Sequence, residues 1–597
     1  MDRNTLIGFL LIGLIFIVWF QLLTPSTPPK PPKPKVLDSA ALAYADSVEK
    51  ALAQKALRTQ KVGEFAAVME GTTDTITVET DLFTAKLSSK GATLISFVQK
   101  KYLDWERKPF DLITAKDGAL SLLFETTDAR QSVVNTNDLY FTPKTSERNF
   151  KLSGKQSATI PFEIDLANGK RIKVVYTFTG DKYQIRYQTE LVGLSELVRG
   201  ATYQVAWNGG LAHSEKDENE EANSSYAHAY FNGSLERLDA DSKDKEFKLQ
   251  PDGSTKWVSV QSKYFLAAII ADEPAEGAYL QGKRTVKDDK HVFEDYTVAL
   301  KPRLPANQSL VQHAFTLYIG PLDYVLVREA GSDLEKTMDF GWEWITRPFA
   351  EWIILPVFNL LERFISNYGI IIIIFALLIK LVTYPLTVAS TNSMKKMAQL
   401  QPQIQELQKK YANDAAKLQS ELGKIYKEAG VNPLSGCLPV LLQMPLLFAM
   451  FYVIRSSIQL RQESFLWASD LSTADAIITL PFSIPLYGSH IAVFPILMAI
   501  TTYFQQKITP TSAPSEQTKV FNIILPIMLL LFFNNMPSGL GLYYLMFNVF
   551  SIVQQLYVNW QAKRNPAPVG SKLAPASKSN AVQETQKKNP KKKAKVS

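Results

Sequence analysis

One lysine interrupts a long apolar run in the second half of the chain. In residues 369–391, GIIIIIFALLIKLVTYPLTVAST, Lys380 is the one charged side chain. A charge costs about 2.5–3.5 kcal/mol at the centre of a membrane-spanning helix, so a residue of this kind usually has a function. Four polar residues follow Lys380 at helical spacing on the same face: Thr383, Tyr384, Thr387 and Thr391. The pattern favours a polar cavity, and the alternative is a lysine that extends to the nearer headgroups.

Other kinds of chemistry find little support in the sequence. The chain of 597 residues has one cysteine, Cys437, and its five histidines form no HExxH pair. No GxxxxGK[ST] motif for a nucleotide phosphate is present. A disulfide framework and a zinc site are therefore not expected, and we predict no metal, no cofactor and no catalytic residue.

The residues around Lys380 belong to a series of apolar segments that must position it. These segments cover residues 6–23, 369–391, 436–456, 490–507, 519–535 and 538–558. Segments of about this length match the hydrocarbon thickness of a bilayer. They predict an α-helical transmembrane bundle of six crossings: an N-terminal signal-anchor helix (1–23) and a five-helix core (366–560).

The distribution of charge predicts the orientation of this bundle. The whole chain has a formal net charge of +8, and residues 558–597 alone carry a net +9. The loop 389–433 has a net charge of +3, whereas the loop 461–489 has −2. Basic loops stay in the cytoplasm, so both termini and the loop 389–433 are expected there.

Polar residues in the other crossings fall mainly in their cytoplasmic halves. With Lys380, Thr383 and Tyr384, the predicted groove residues are Gln443, Thr502, Gln506, Tyr544 and Asn548. Together they predict a polar recess that opens to the cytoplasm and is closed on the other side. The alternative is that such residues only bond neighbouring helices, and for Gln443 the two interpretations are equally favoured.

The first half of the chain has a different pattern. A Pro- and Ala-rich linker is predicted at 24–60, and short runs of alternating apolar residues at 61–340 predict a large antiparallel β-sandwich. Tyr226, His228 and Tyr230 share one strand face, which could line a sugar or peptide cleft but is more simply ordinary strand surface. The acidic run SEKDENEE at 214–221 is expected to be a solvated loop.

Three further segments complete the predicted organisation. Residues 341–365 alternate apolar and charged positions at helical spacing and predict an amphipathic helix in the headgroup plane, with a buried helix capping the sandwich as the alternative. Residues 394–430 predict a cytoplasmic helical hairpin, because apolar residues recur there at near-heptad spacing on both sides of a turn. Residues 561–597 are predicted to be a basic, disordered tail.

Several motifs in the second half resemble one known family. TYPLT (383–387), SMKKM (393–397), LQPQIQELQKKY (400–411), NPLSGCLPVLLQMP (432–445), FQQKITP (504–510) and PSGLGLYYL (537–545) closely resemble the YidC/Oxa/Alb family of membrane-protein insertases. The anchor, large domain and basic tail resemble its long form in Gram-negative inner membranes. The resemblance implies a multi-domain membrane protein with an all-β periplasmic supersandwich and a five-helix core. It also implies a non-enzymatic protein that inserts newly made membrane proteins, alone or with the Sec translocon.

The same resemblance implies a role for Lys380 and a set of partners. Lys380 stands where the family usually has a groove arginine, and lysine keeps the charge without the planar fork of donors. The polybasic tail is expected to contact ribosomal RNA, or alternatively anionic lipid, and DNA is not an expected partner. The predicted ribosome or targeting contacts are Lys395, Lys396, Lys409, Lys410, Lys591, Lys592 and Lys593. A membrane-anchored periplasmic carbohydrate-binding or -processing protein and a transporter are the alternative functions.

Overall fold

The computed structural model describes residues 63–127, 133–287, 291–430, 432, 438–485, 487–509 and 516–564. The predicted anchor helix and Pro-rich linker, as well as tail residues 565–597, lie outside these ranges. The described residues fall into two compact units. The first is drawn from Met1–Ala376, Val440–Ile496 and Met528–Tyr544, and the second from Leu377–Pro439, Leu497–Ile527 and Leu545–Ser597.

The first unit contains the β-strands. In chain order they are β1 Thr75–Glu79, β2 Phe83–Ser88, β3 Thr93–Gln99, β4 Leu120–Glu125, β5 Val133–Asn135, β6 Thr142–Pro143, β7 Asn149–Lys151, β8 Ser157–Asp165, β9 Arg171–Thr179, β10 Gln184–Val192, β11 Gln204–Trp207, β12 Tyr226–Phe231, β13 Ser234–Leu238, β14 Glu246–Leu249, β15 Asp252–Gln261, β16 Phe265–Val286, β17 Val292–Leu300, β18 Leu310–Pro321, β19 Ala476–Ile484 and β20 Gly488–Ala492.

Two of the sheets build the large domain. A four-stranded sheet has the order β3-β2-β1-β7, and a large sheet follows the path β5-β4-β11-β17-β16-β18-β10-β9-β8-β6, with β12 to β15 attached to it. The pairing is antiparallel except between β1 and β7. The 22-residue strand β16 pairs with β14, β15, β17 and β18 and so joins the two halves of the large sheet. The prediction of a large all-β domain is confirmed.

Alternating burial explains why these residues form strands. Along β9 every second residue is buried, as the period-two pattern of RIKVVYTFT requires. The core contains large side chains that are almost fully buried, among them Tyr176, Trp207 and Trp257. Packed aromatic pairs occur within it, such as Phe83 and Phe97, whose ring centroids lie 4.3 Å apart.

The predicted strand face of Tyr226, His228 and Tyr230 is not ordinary strand surface. All three residues are buried in β12, and His228 is only 1% exposed. The Tyr226 ring lies under the guanidinium of Arg237, with 3.2 Å from its centroid to Cζ, and Tyr230 stacks on Trp257 at 5.5 Å. Burial lowers the pKa of His228 to about 3, so the ring is neutral at physiological pH. The expectation of ordinary strand surface is wrong because other side chains pack on these residues, among them Arg237 and Trp257.

The acidic run 214–221 is also not the solvated loop that was expected. Its end forms the short helix α1, Glu218–Ala222, and Glu221 is fully buried. The Glu221 carboxylate accepts hydrogen bonds from the backbone N–H groups of Ser214 and Glu215 at 3.1 and 2.9 Å. The Glu215 carboxylate in turn accepts a hydrogen bond from the Nε of Arg461 at 2.5 Å, and both side chains of this ion pair are buried. Glu215 and Glu221 therefore find their partners inside the first unit, whereas Lys216 and Asp217 are exposed.

The remaining helices have the following bounds: α2 Tyr324–Glu329, α3 Thr346–Phe349, α4 Leu355–Glu362, α5 Tyr368–Lys410, α6 Ala415–Glu428, α7 Leu438–Ser456, α8 Val493–Ile508, α9 Glu516–Phe533 and α10 Ser538–Arg564. A π-helical turn, Ala350–Ile354, joins α3 to α4. Short 3₁₀ segments lie at Gly63–Val68, Thr136–Asp138, Ala167–Gly169, Leu194–Glu196, Leu334–Thr337 and Ile458–Leu460.

Helix α5 joins two elements that the sequence suggested were separate. It runs for 43 residues through Pro385 and Pro402, so the apolar segment and the first arm of the predicted hairpin form one continuous helix. Among the described residues, α5 is the one helix that is both long enough and apolar enough to cross a membrane. The six crossings and the five-helix core therefore stay predictions.

The second arm of the hairpin packs against the first through apolar side chains. Asp414 caps α6 by accepting the backbone N–H of Lys417 at 3.0 Å. Leu400 and Ile404 are buried, and the side chains packed against them are Met397, Leu422, Ile425, Tyr426 and Ala429. This antiparallel contact is what the near-heptad spacing predicts.

The predicted amphipathic segment is helical over most of its length. Arg347 is buried, forms ion pairs with Glu343 and Glu351, and donates to the backbone oxygens of Glu335 and Met338. Trp344 and Trp352, by contrast, are 80% and 76% exposed. Ala350, Ile354 and Phe358 are buried as well, so the protein-facing side of the segment is largely apolar around Arg347, and its other side exposes the two tryptophans. Its location in the headgroup plane stays a prediction.

Candidate functional site

Lys380 lies against an aromatic ring in the second unit. Its Nζ is 3.5 Å from the ring centroid of Phe547, which α10 provides. The lysine is half-buried, and among the described residues no carboxylate lies within ion-pair distance of it. The negative face of an aromatic ring attracts a cation but does not neutralise it. In the described part of the chain, the observed partner of the Lys380 side chain is therefore an aromatic ring and not an acid.

The sequence analysis missed Phe547 as the partner of this lysine. Phe547 lies three residues after Tyr544 and next to Asn548, so it shares the helical face of the polar stripe on α10. The signal was therefore present as an aromatic residue within a polar face. Phe547 is recognised as the partner of Lys380 only from the tertiary structure, in which α10 and α5 contact each other at these two residues.

Asn548 and Thr502 form the clearest polar link between two helices of this unit. The Asn548 amide donates to the Thr502 hydroxyl at 2.8 Å, with a longer contact of 3.4 Å to Thr501. Asn548 and Thr502 are both buried. These two predicted groove residues therefore bond to each other between neighbouring helices, which is the alternative interpretation of such polar residues.

A second polar connection joins α5, α10 and α8. The Thr391 hydroxyl donates to the Gln555 side-chain oxygen at 3.4 Å, and the Gln555 amide donates to Asn559 at 3.0 Å. Asn559 then reaches the backbone oxygen of Ile508 at 3.5 Å. The polar stripe thus follows three helices and holds them together by hydrogen bonds.

The threonines next to Lys380 satisfy their hydroxyls locally. Thr383 donates to the backbone oxygen of Ile379 at 2.8 Å, and Thr387 donates to that of Thr383 at 3.0 Å. Tyr384 is half-buried on the same helix. These residues give the face of Lys380 a mixed polar character without forming a catalytic arrangement.

Three buried polar groups of the second unit find no hydrogen-bond partner among the described residues. They are the side-chain oxygen of Gln506, both amide atoms of Gln554 and the Nζ of Lys395. Buried polar groups in folded proteins are nearly always bonded to protein or to water. The region is thus chemically suited to water or to a polar peptide segment.

The other predicted groove residues belong to the first unit. Gln443 on α7 is half-buried. The Tyr544 ring lies 5.0 Å from that of Phe533 and 5.9 Å from that of Tyr543. Tyr544 is therefore part of an aromatic cluster in its own unit.

The predicted ribosome or targeting lysines differ in their exposure. Lys396, Lys409 and Lys410 are exposed on α5, whereas the Nζ of Lys395 is buried. Lys591, Lys592 and Lys593 lie outside the described residues. In the described part of the chain, no group of histidine, cysteine, aspartate or glutamate residues could hold a metal ion.

Known proteins match nearly the whole chain. Residues 75–352 match the family described as the YidC periplasmic domain, and residues 360–565 match the 60Kd inner membrane protein family. The membrane protein insertase YidC of Chloroherpeton thalassium is 54% identical over 96% of this chain and 98% of its own length. That of Chlorobaculum parvum is 53% identical over 94% of both chains. A crystal structure of an active YidC insertase is similar at 20% identity, with 85% of this chain and 99% of its own covered and a TM-score of 0.33.

Near-complete coverage at this level of identity defines the class of protein. It is a non-enzymatic membrane protein insertase, with an inner-membrane location and a periplasmic β domain. The chain belongs to the YidC family. The carbohydrate-processing and transport alternatives are not favoured, because the similarity to insertases covers both halves of the chain.

Proposed function

We propose that the second unit provides the path by which the polar flank of a client protein enters the membrane. The apolar segment of the client would move into lipid while its short polar flank contacts the polar stripe of α5, α8 and α10. The observation that supports this most directly is the pairing of Lys380 with Phe547 instead of a carboxylate. Burial of the client's own apolar helix would supply the free energy, so no nucleotide is required.

The ring partner makes Lys380 suitable for a transient ligand. A carboxylate partner would neutralise the charge and compete with an acidic client flank, whereas a ring holds the ammonium and leaves its charge available. The side-chain groups of Gln506 on α8 and Gln554 on α10 that lack a hydrogen-bond partner among the described residues provide further hydrogen-bonding capacity on helices that carry the polar stripe. A client peptide passing this region could thus exchange bonds with water for bonds with protein.

The proposed topology has six crossings, with residues 1–23 as an anchor and 366–560 as the core. Both termini and the helical hairpin 394–430 are placed in the cytoplasm, because the loop 389–433 and the tail are basic and the loop 461–489 is acidic. The domain 61–340 lies in the periplasm, and the helix 341–365 lies at the membrane surface. Gln443 and Tyr544 are proposed as further contacts of the client path.

Photo-crosslinking tests the proposed path. A photoreactive residue at Gln506 is expected to capture a ribosome-bound nascent membrane protein as its first apolar segment emerges. The matched control is Phe504 on the same helix, which is exposed and two residues away, on nearly the opposite face. Capture at 504 and 506 alike, or at neither, would contradict a defined path along the polar stripe.

Substitution of Lys380 tests the role of its charge. Lys380→Met keeps the apolar stem and removes the charge, so insertion of a client with an acidic flank into proteoliposomes should fall. Lys380→Arg keeps the charge and should retain most insertion. A client with a neutral flank is the internal control. Equal loss for both clients would indicate a structural role for Lys380 instead.

The ribosome and the Sec translocon are the proposed partners. The basic tail and the exposed Lys396, Lys409 and Lys410 would contact ribosomal RNA through its phosphates, an interaction that weakens steeply with salt. Deletion of 565–597 should therefore lower co-sedimentation with ribosomes at low salt. Unchanged co-sedimentation would leave anionic lipid as the ligand of the tail. Co-purification with the Sec translocon would test the second partner.

A further inference from the structure

An apolar β-hairpin lies in the segment between α7 and α8, where the sequence suggested only an acidic loop. Strands β19 and β20 pair antiparallel, with Ile478 opposite Ile491 and Ile484 opposite Gly488. All residues of β19 are exposed except the half-buried Leu480. We call residues 476–485 and 487–492 the apolar hairpin.

The side chains of the apolar hairpin are unusual for a surface in water. Except for Thr479 and Ser483, every residue of β19 is apolar, and its pairing with β20 has two register shifts. Phe482 is 61% exposed and Ile478 is 51% exposed. Residues 476–492 contain no aspartate, glutamate, lysine or arginine. Contiguous exposed apolar surface of this kind marks a site of interaction with another protein or with a membrane.

The hairpin is held firmly although it is exposed. Asn534, which is fully buried just after α9, donates to the backbone oxygens of Tyr487 and His490 at 2.8 Å and accepts the N–H of Ala492 at 3.1 Å. Asn535 also donates to the Tyr487 oxygen, at 3.0 Å. A lone two-stranded hairpin is marginally stable in water, so these bonds to the turn and to β20 maintain it. Strand β19 is left as its outer strand.

We propose that the apolar hairpin lies on the outer leaflet of the lipid bilayer, with the exposed apolar side chains of β19 in contact with the headgroup and upper acyl region. This inference rests on the proposed multi-pass topology. In that topology the hairpin runs directly into α8, which starts at Val493, and is clamped to the end of α9 by Asn534 and Asn535. Its clamped side is therefore at the level where helices leave the membrane.

An aromatic residue beside the hairpin fits the same location. The Trp467 ring packs on Phe494 at 4.7 Å, and its indole N–H donates to Asp475 at 2.8 Å. Asp475 also accepts the backbone N–H groups of Val493 and Phe494 at the start of α8. Trp467 is nevertheless 42% exposed. A tryptophan with its N–H bonded and its ring partly exposed is typical of the membrane interface.

The backbone of β19 favours the lipid interface over two other locations. The outer edge of a two-stranded hairpin has unpaired N–H groups, which would be costly in the hydrocarbon core but can bond to water at the headgroups. Pro481 within β19 has no N–H, so the strand is a poor template for pairing with a strand of another protein. At the lipid interface the apolar side chains contact lipid, and the backbone neither enters the hydrocarbon core nor has to pair with a strand of another protein.

Depth-dependent fluorescence quenching of the full-length protein tests this proposal. In a Cys437→Ser background, Phe482→Cys and Ile478→Cys each receive an environment-sensitive fluorophore, and the proteins are reconstituted in vesicles of phosphatidylethanolamine and phosphatidylglycerol. Emission of the labels at both sites should shift to the blue. Nitroxides near the lipid headgroup should quench this emission more than nitroxides near the end of the acyl chain. Iodide added on both sides of the membrane should quench it weakly.

Two control sites separate the possible outcomes. Val133 is an apolar residue of the β domain with the same degree of exposure as Phe482, at 60%, and a label at Val133→Cys should stay accessible to iodide. A label at Leu378→Cys on α5 should be quenched by the deep nitroxide. If the labels at 478 and 482 are as accessible to iodide as the label at 133, while the label at 378 is quenched by the deep nitroxide, the hairpin lies outside the lipid. A protein partner, and not lipid, would then be the expected occupant of its apolar surface. If 378 is accessible to iodide, the proposed topology fails, and the placement of the hairpin fails with it.

Discussion

The ammonium of Lys380 lies 3.5 Å from the ring centroid of Phe547, and this contact pairs the charged residue of the apolar run with an aromatic face. A cation–π pair contributes about 0.5–1 kcal/mol at an exposed site and about 2 kcal/mol when desolvated, and the half-buried Lys380 lies between these limits. Phe547→Leu should therefore lower the unfolding free energy of the protein in nanodiscs by about 1–2 kcal/mol, whereas Phe547→Trp should retain most of that free energy. Thermal or denaturant unfolding would measure both changes.

A second background isolates the cation from the packing. In Lys380→Met the ammonium is absent, so the difference between the leucine and tryptophan variants at 547 should become much smaller. If the difference persists, Phe547 stabilises the protein through its volume alone.

The hydrogen bond between Asn548 and Thr502 should also have a measurable coupling. Bonds of this kind between membrane helices average about 0.6 kcal/mol and reach about 1.7 kcal/mol. A cycle of Asn548→Ala, Thr502→Val and the double variant should give a coupling free energy in that range, because the 2.8 Å contact is buried. Ser551→Ala is the control, since that hydroxyl donates to the backbone of its own helix, at Phe547. A coupling near zero would show that the contact adds nothing to stability.

The ion pair of Arg461 and Glu215 should be costly to break from one side. Both side chains are buried, and the guanidinium also donates to the backbone oxygens of Ser214 and Leu103. Arg461→Met leaves an uncompensated buried carboxylate, so it should lower the unfolding free energy by about 3–5 kcal/mol. Urea unfolding followed by the fluorescence of the buried Trp207 and Trp257 measures this change.

The compensating variant distinguishes charge from volume. Adding Glu215→Gln to Arg461→Met removes the unpaired charge and should restore part of the lost stability. Arg303→Met, in an exposed pair with Glu276, should have no comparable effect. A double variant as unstable as the single one would mean that the lost contacts of Arg461, not the charge, are what matter.

Glu221 predicts a pH dependence of the stability of the β domain. Burial, and next the nearby Glu215 carboxylate, raise the pKa of Glu221 to about 7. The folded state therefore holds a proton that the unfolded chain releases near pH 4.5, so the stability from this group is complete below pH 4.5 and is lost as the pH rises to 7. The slope for one proton is about 1.4 kcal/mol per pH unit.

Glu221→Gln should remove this contribution. Unfolding free energies of the variant and the wild type, measured between pH 4.5 and 8, should converge or cross as the pH falls. Burial also raises the pKa of Glu294 to about 7, so the variant should keep a residual slope of the same sign. Parallel profiles for the two proteins would show that Glu221 is ionised throughout this range.

Local patterns in the sequence were sufficient for the elements themselves. Period-two alternation identified strands such as β9 and β10, and near-heptad spacing identified the contact of Ile404 with the second arm of the hairpin. These patterns repeat over a few residues and follow directly from the geometry of a strand or a helix. The same reasoning isolated Lys380, because a charge within an apolar helix stands out against its neighbours.

The partners of these residues depended on contacts between distant segments. Phe547 faces Lys380 from more than 160 residues further along the chain, and Arg461 reaches Glu215 from 246 residues away. His228 has the sequence pattern of strand surface, yet it is almost fully buried. No local period records such pairings. The sequence by itself therefore determined which segments are strands and helices and where a charge interrupts them, whereas the tertiary structure decided what each charge contacts, because burial depends on the segments that fold over it.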